Sequence, residues 1–214
     1  MSETLFGNPS LPAFLLASLV LAATPGPGVF YILARTLAQG RRAGLCSVAG
    51  VAMGNLGNAI GAAVGLAALL AISSLAFAVV KYAGAAYLVY LGIKALGARS
   101  TAEEATFGEA ALAPIFRDGF VVALLNPKTA LFFAAFLPQF IDPAASALWQ
   151  SVFFGSLFVL IAVVTDSLYV LTASAVSPAL SRLDDARGVA RYLSGSVLIG
   201  LGVLAALSGS RSAE

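Results

Sequence analysis

The chain has 214 residues, 60% of them hydrophobic and only 10% charged, with a mean hydropathy of +0.95; a soluble domain is nearer a quarter charged, so this is the composition of a polytopic membrane protein with little outside its spans. The net charge of +2 comes without a basic cluster interleaved with aromatics, so no nucleic-acid partner is expected. One cysteine, Cys46, and no histidine exclude an intrachain disulfide, a paired-thiol relay, imidazole metal sites and histidine proton relays, leaving carboxylates and lysines to carry protons.

Glu3 is the only charge before the first apolar run, and that run is too long for a signal-peptide core, so it is expected to persist as span 1, about 11–37. Thr24-Pro25-Gly26-Pro27-Gly28 interrupts it. A short basic loop follows, with Arg35, Gly40, Arg41, Arg42 and Gly44. Span 2, about 45–72, carries Gly50, Gly54, Gly57, Gly61 and Gly65 near helical spacing, a surface for close helix packing. It also holds Asn55 and Asn58, which need partners in a neighbouring helix or a ligand; Cys46 at its start reads as small apolar filler. Span 3, about 77–96, has Lys81 at its start and Lys94 near its end.

The one polar stretch, about 97–117, contains Glu103, Glu104, Glu109 and Pro114 and is expected to be a loop joining two halves, with a surface-lying turn near 107–112. Span 4, about 119–141, is interrupted by Asn126-Pro127-Lys128 and ended by Pro138 and Pro143; its Phe132, Phe133 and Phe136 suit a lipid-facing or packing surface better than a recognition box. Span 5, about 148–176, carries Asp166 well inside. A charged loop at 178–191 leads to span 6, about 192–207, and a polar tail.

Arg35, Arg41, Arg42, Lys94, Arg99, Arg117, Arg182, Arg187 and Arg191 fall in the loops after spans 1, 3 and 5, against Lys81 and Arg211 on the other side. The positive-inside rule makes those loops cytoplasmic and places both termini outside. The segment 81–92 lies over 191–202 with tyrosine, leucine and glycine coinciding, and Thr24-Pro25 lies over Asn126-Pro127. Two copies of three spans are expected, and an odd number of spans inverts the second copy. The fold expected is therefore all-α: one transmembrane domain over 1–214, six helices in two inverted repeats, about 11–98 and 118–208, joined by a cytoplasmic loop at about 99–117, with helices 1 and 4 broken at proline.

Proline removes a backbone donor and clashes with the preceding turn, and broken backbone survives in lipid only where protein or a water-filled cavity covers it. At a break, the second half-helix offers free N–H groups to a carboxylate and the first offers free carbonyls to an ammonium. Two facing breaks would grip a zwitterion such as an amino acid. The competing reading is that the prolines only kink two helices for packing. Lys128, at mid-span, costs about 2.5–3.5 kcal/mol to insert on translocon scales and needs a cavity or partner. Asp166, expected to be the only acid deep in another span, is the candidate; the two would share a cavity and change protonation, or form a structural ion pair. No Walker loop, dinucleotide fingerprint or zincin motif is present, so an enzyme is not expected.

Thr24 to Gly28, the segment 81–92, and Gly119 through Asn126-Pro127-Lys128 to Pro138-Gln139-Phe140 together resemble the LysE/RhtB family of bacterial amino-acid exporters over nearly the whole chain. The resemblance implies an inner-membrane, proton-coupled secondary exporter able to form a homodimer, and no cofactor or metal is expected. It also implies that Thr24, Pro25, Gly26, Pro27, Gly28, Asn126, Pro127 and Lys128 line the translocation site. Many relatives carry an acid after Gly-x-x-x-Gly in span 2; Asn55 follows Gly50 and Gly54 here, which favours a neutral substrate over a cationic one. The alternatives are a passive channel or a metal-ion exporter, which would want clustered carboxylates or thiols, and a thiol-disulfide carrier, which would need a cysteine in each half.

Overall fold

The computed structural model describes residues 11–65, 73–97, 112–142, 145–180 and 186–207. Most of the joining loop, the end of span 2, Pro143 and both termini lie outside them. Among the described residues the chain is all helical: α1 Leu11–Ala23, α2 Pro27–Ala63, α3 Ser74–Gly97, α4 Leu112–Leu124, α5 Pro127–Leu131, α6 Ala147–Leu180 and α7 Ala186–Leu207. A π-helical turn, Phe132–Phe136, and a 3-10 turn, Leu137–Phe140, continue α5. Pro138 accounts for these two turns, because it cannot donate to residue 134 and its ring pushes that carbonyl away.

By length and composition three helices can cross a membrane, within Pro27–Ala63, Ala78–Gly97 and Ala147–Val176, and the pair α4 with Pro127–Phe140, bent by 45°, makes a fourth candidate. The longest of them is two antiparallel segments. Gly40 interrupts α2 at φ 84°, ψ 180°, a conformation essentially restricted to glycine. Beyond it the chain folds back, so that Gly44 lies against Thr36, and Gly28 stands where a Cβ would be 3.4 Å from Val51. The expected basic loop is thus one residue long, since Arg41 and Arg42 are good helix formers and continue the helix.

Three other boundaries differ from expectation. Helix α4 begins at Leu112, so Pro114 to Asp118 are helical; proline is tolerated in a first turn. Helix α6 runs through Pro178 to Leu180 and α7 starts at Ala186, which confines the 178–191 loop to residues outside the description. Gly65, grouped with the packing glycines, instead sits at φ 84° with open space around it.

Gly50, Gly54 and Gly57 do what their spacing implied. Gly50 and Gly54 lie against the carbonyls of Phe116 and Phe120, and Gly57 against Leu124, so the second segment of α2 runs parallel to α4 at backbone contact. Helices α3 and α7 pack antiparallel. A Cβ on Gly92 would stand 2.7 Å from the Gly195 carbonyl oxygen, and one on Gly202 2.7 Å from that of Ala85. The core has two parts. Tyr31, Val51, Leu88, Val122, Val170 and Leu198 belong to one; Phe14, Phe132, Phe133, Phe140, Phe154 and Phe158 form the other, an aromatic cluster. Phe132 and Phe133 are therefore packing residues rather than lipid-facing ones. On α6, Leu160, Val164 and Leu168 are exposed while Ala162, Asp166 and Val170 are buried, a helical pattern with one outer and one inner face.

Candidate functional site

Three prolines build the site by removing donors. In a continuous helix the N–H of residue 25 would bond the Leu21 carbonyl and that of residue 27 the Ala23 carbonyl; both residues are proline. The Leu21 and Ala123 carbonyls keep an i+3 bond, from the Thr24 N–H at 3.3 Å and the Asn126 N–H at 3.1 Å, and the carbonyls without their i+4 donors accept from side chains of other spans. The Lys128 ammonium donates to the Leu21 oxygen at 2.8 Å and also to the Thr24 oxygen. The Tyr169 hydroxyl donates to the Ala23 oxygen at 2.8 Å. Pro127 frees the Ala123 carbonyl in the same way, and Asn58 Nδ2 donates to it at 2.9 Å.

After each break a helix restarts on proline. Gly26 precedes α2 in extended conformation without a side-chain cap, so the first N–H groups of α2 have no cap from that residue. Asn126 caps α5, its Oδ1 accepting from the Lys128 N–H at 3.1 Å. The two breaks touch: a Cβ on Gly26 would stand 3.2 Å from Lys128 Cδ and 3.6 Å from its Nζ. A cavity of about 40 Å³ opens there, lined by Thr24, Gly26, Gly28, Asn55, Asn126, Lys128 and Asp166, with Thr129 and Phe158 completing it. It has room for a few water molecules.

The expected residues therefore sort into two groups. Thr24, Gly26, Gly28, Asn55, Asn126, Lys128 and Asp166 meet at one cavity. Pro25, Pro27 and Pro127 act through the carbonyls they release, and Asn58 caps one of them rather than lining the cavity. Lys128 and Asp166 share the cavity but are not an ion pair; among the described residues the ion pairs are Arg35–Asp118 at 3.1 Å and Arg117–Asp118 at 3.3 Å. Asp166 is only 6% exposed.

Asp118 corrects the expectation that Asp166 is the only deep acid in another span. Its carboxylate, 1% exposed, takes hydrogen bonds from Arg35 and from the Tyr87 hydroxyl at 3.0 Å. Arg35 Nε donates to the Tyr31 hydroxyl, which donates to the Ile115 carbonyl at 2.8 Å. The cluster ties the second half of span 1 to α3 and α4, about 12 Å along α4 from the break at eight residues of helical rise. The sequence held a signal for it, a charge of each sign beside two span ends, but placing span 4 after Asp118 hid it. Tyr169 and Thr129 were also passed over; Thr129 directly follows Asn-Pro-Lys, whereas nothing in sequence singles out Tyr169.

The sequence profile of LysE type translocators matches residues 19–209. An uncharacterized membrane protein of Vibrio cholerae is 31% identical over 91% of this chain and 95% of its own length. A homoserine/homoserine lactone efflux protein of Salmonella typhimurium is 32% identical over 77% of this chain and 81% of its own length. A leucine efflux protein of Salmonella choleraesuis is 33% identical over 62% and 63%. No solved structure matches. With a family match across most of its length and its glycines, prolines and apolar helices placed as described, the chain belongs to the LysE type translocators.

Proposed function

We propose that this membrane transporter is a secondary-active exporter of small amino acids or close derivatives across the bacterial inner membrane, coupled to protons and favouring neutral side chains. The observation that carries the reading is the meeting of the two prolyl breaks across Lys128. Carbonyls and helix N-termini face one cavity there, the complement of an ammonium and a carboxylate. Thr24, Gly26, Gly28, Asn55, Asn126 and Lys128 contact the substrate; Pro25, Pro27, Pro127 and Asn58 hold the breaks in shape. Asp166, buried in the same cavity without an ion pair, carries the proton. Homoserine, its lactone and leucine, the compounds for which the relatives are named, have uncharged side chains and share one ionic group, the α-ammonium. Together with Asn55 in place of an acid, they favour a neutral substrate.

Six spans in two inverted repeats, about 11–98 and 118–208, carry this site, with the loops after spans 1, 3 and 5 cytoplasmic. Two features support the inversion. Helices α1 and α4 are both followed by a break and a helix beginning at proline. The contacts Gly92–Gly195 and Gly202–Ala85 exchange under the 110-residue offset that aligns 81–92 with 191–202, as they must if a two-fold axis relates α3 and α7. In proteoliposomes, labelled leucine and homoserine should show counterflow; dissipation of the gradient without counterflow would make the protein a channel. Asp166→Asn should lose stimulation of efflux by a pH gradient. An Asp166→Asn protein with undiminished stimulation would remove Asp166 from the coupling.

A further inference from the structure

We propose that the Lys128 ammonium is a tethered occupant of the seat for the substrate's own ammonium, displaced to Asp166 when substrate binds and returned when it leaves. The inference rests on the export reading above. The seat consists of the Leu21 and Thr24 carbonyls, the first of them freed by Pro25. Carbonyls at the end of a half-helix attract a cation, and an α-ammonium offers the same three donors as the lysine head.

Capping alone does not explain a charge here. The two other proline-freed carbonyls, Ala23 and Ala123, are satisfied by the neutral side chains of Tyr169 and Asn58. A lysine at this depth costs more than either. Space makes the second argument. The lysine head occupies the carbonyl seat inside the cavity, so a substrate ammonium can take that seat only once the head has left. The third is a place for it to go: the Asp166 carboxylate lines the same cavity, nine-tenths buried and not ion-paired with Lys128. In the empty carrier Lys128 keeps the seat filled, so its carbonyls keep a cationic partner as the protein changes orientation. In the loaded carrier the substrate does this instead. Exchange needs only the loaded form, whereas net export needs the empty form to return.

The test is Lys128→Ala in proteoliposomes, with Lys128→Met beside it to keep the stem that packs over Gly26. Counterflow of labelled leucine is compared with net efflux into substrate-free buffer. Net efflux should fall by about tenfold or more, and counterflow by clearly less. Propylammonium, the part of the side chain that alanine lacks, should restore net efflux in Lys128→Ala, and propanol should not. Asp166→Asn should not respond to propylammonium. Equal loss of both fluxes in the folded variants without rescue by propylammonium would make Lys128 a plain cap and overturn the proposal, as would undiminished net efflux. Absence of counterflow with any amino acid in the wild type would instead overturn the export reading.

Discussion

Proline at three positions frees a carbonyl, and each is claimed by a donor from another span, which makes the breaks tertiary constructions rather than local kinks. Tyr169→Phe removes a hydrogen bond to the Ala23 carbonyl at a partly exposed site. It should lower stability by about 1 kcal/mol, read as a lowered melting temperature in detergent, with counterflow retained. Asp118→Ala should do more, about 3–5 kcal/mol, because it strands the Arg35 guanidinium and the Tyr87 hydroxyl beside it. Combining Asp118→Leu with Arg35→Met should recover much of that stability, since well-packed apolar residues can replace a buried ion pair at little cost. Lys128 and the prolines could be read from the sequence because each is anomalous inside an apolar helix. Tyr169 and Asn58 as carbonyl caps could not, because their partners are main-chain atoms whose exposure depends on a break more than 60 residues away.

At the level of helices, Gly54 and Gly200 make a contrast. A side chain at Gly54 would run into the Phe120 carbonyl and stand 2.7 Å from the Ala123 Cβ, whereas Gly200 has nothing within 4 Å. Gly54→Val should separate α2 from α4 and destabilise by about 1–3 kcal/mol, while Gly200→Ala should be neutral or slightly stabilising; melting in detergent compares them. Gly40→Ala should cost about 1–3 kcal/mol through backbone conformation alone, since no atom crowds the position. Expected spans 1, 3 and 5 coincide with helices to within a few residues at their described ends, whereas the helix of span 2 stops at Ala63 and those of spans 4 and 6 begin earlier, at Leu112 and Ala186. The misses are at boundaries. Arg41, Arg42 and Asp118 look like loop residues by charge, yet the helices continue through them because arginines reach solvent along their stems and Asp118 finds three donors inside. The π and 3-10 turns after α5 depend on how the backbone relaxes around Pro138, which residue identity does not specify.

For the whole molecule, the proposed orientation can be checked with single cysteines introduced into a Cys46→Ala background. Cysteine at Arg41 should react with a membrane-impermeant thiol reagent only from the cytoplasmic side, and cysteine at Val64 only from the other; the reverse pattern would invert the topology. The proposed two-fold relation of α3 and α7 rests in the sequence on glycine and tyrosine recurring at one offset. The proposed counterpart between spans 1 and 4 rests on the prolines alone, since the surrounding side chains differ. That divergence is itself informative. Tyr31 and Arg35 belong to the polar cluster around Asp118, while the positions matching them in the second repeat, Phe133 and Leu137, belong to the phenylalanine cluster. In the proposed repeat the breaks recur and the chemistry around them does not. A carrier of the proposed kind, with one half held by ions and the other by hydrocarbon, should not weight its two orientations equally, and heat or salt should tilt that balance in a way that two identical halves would not show.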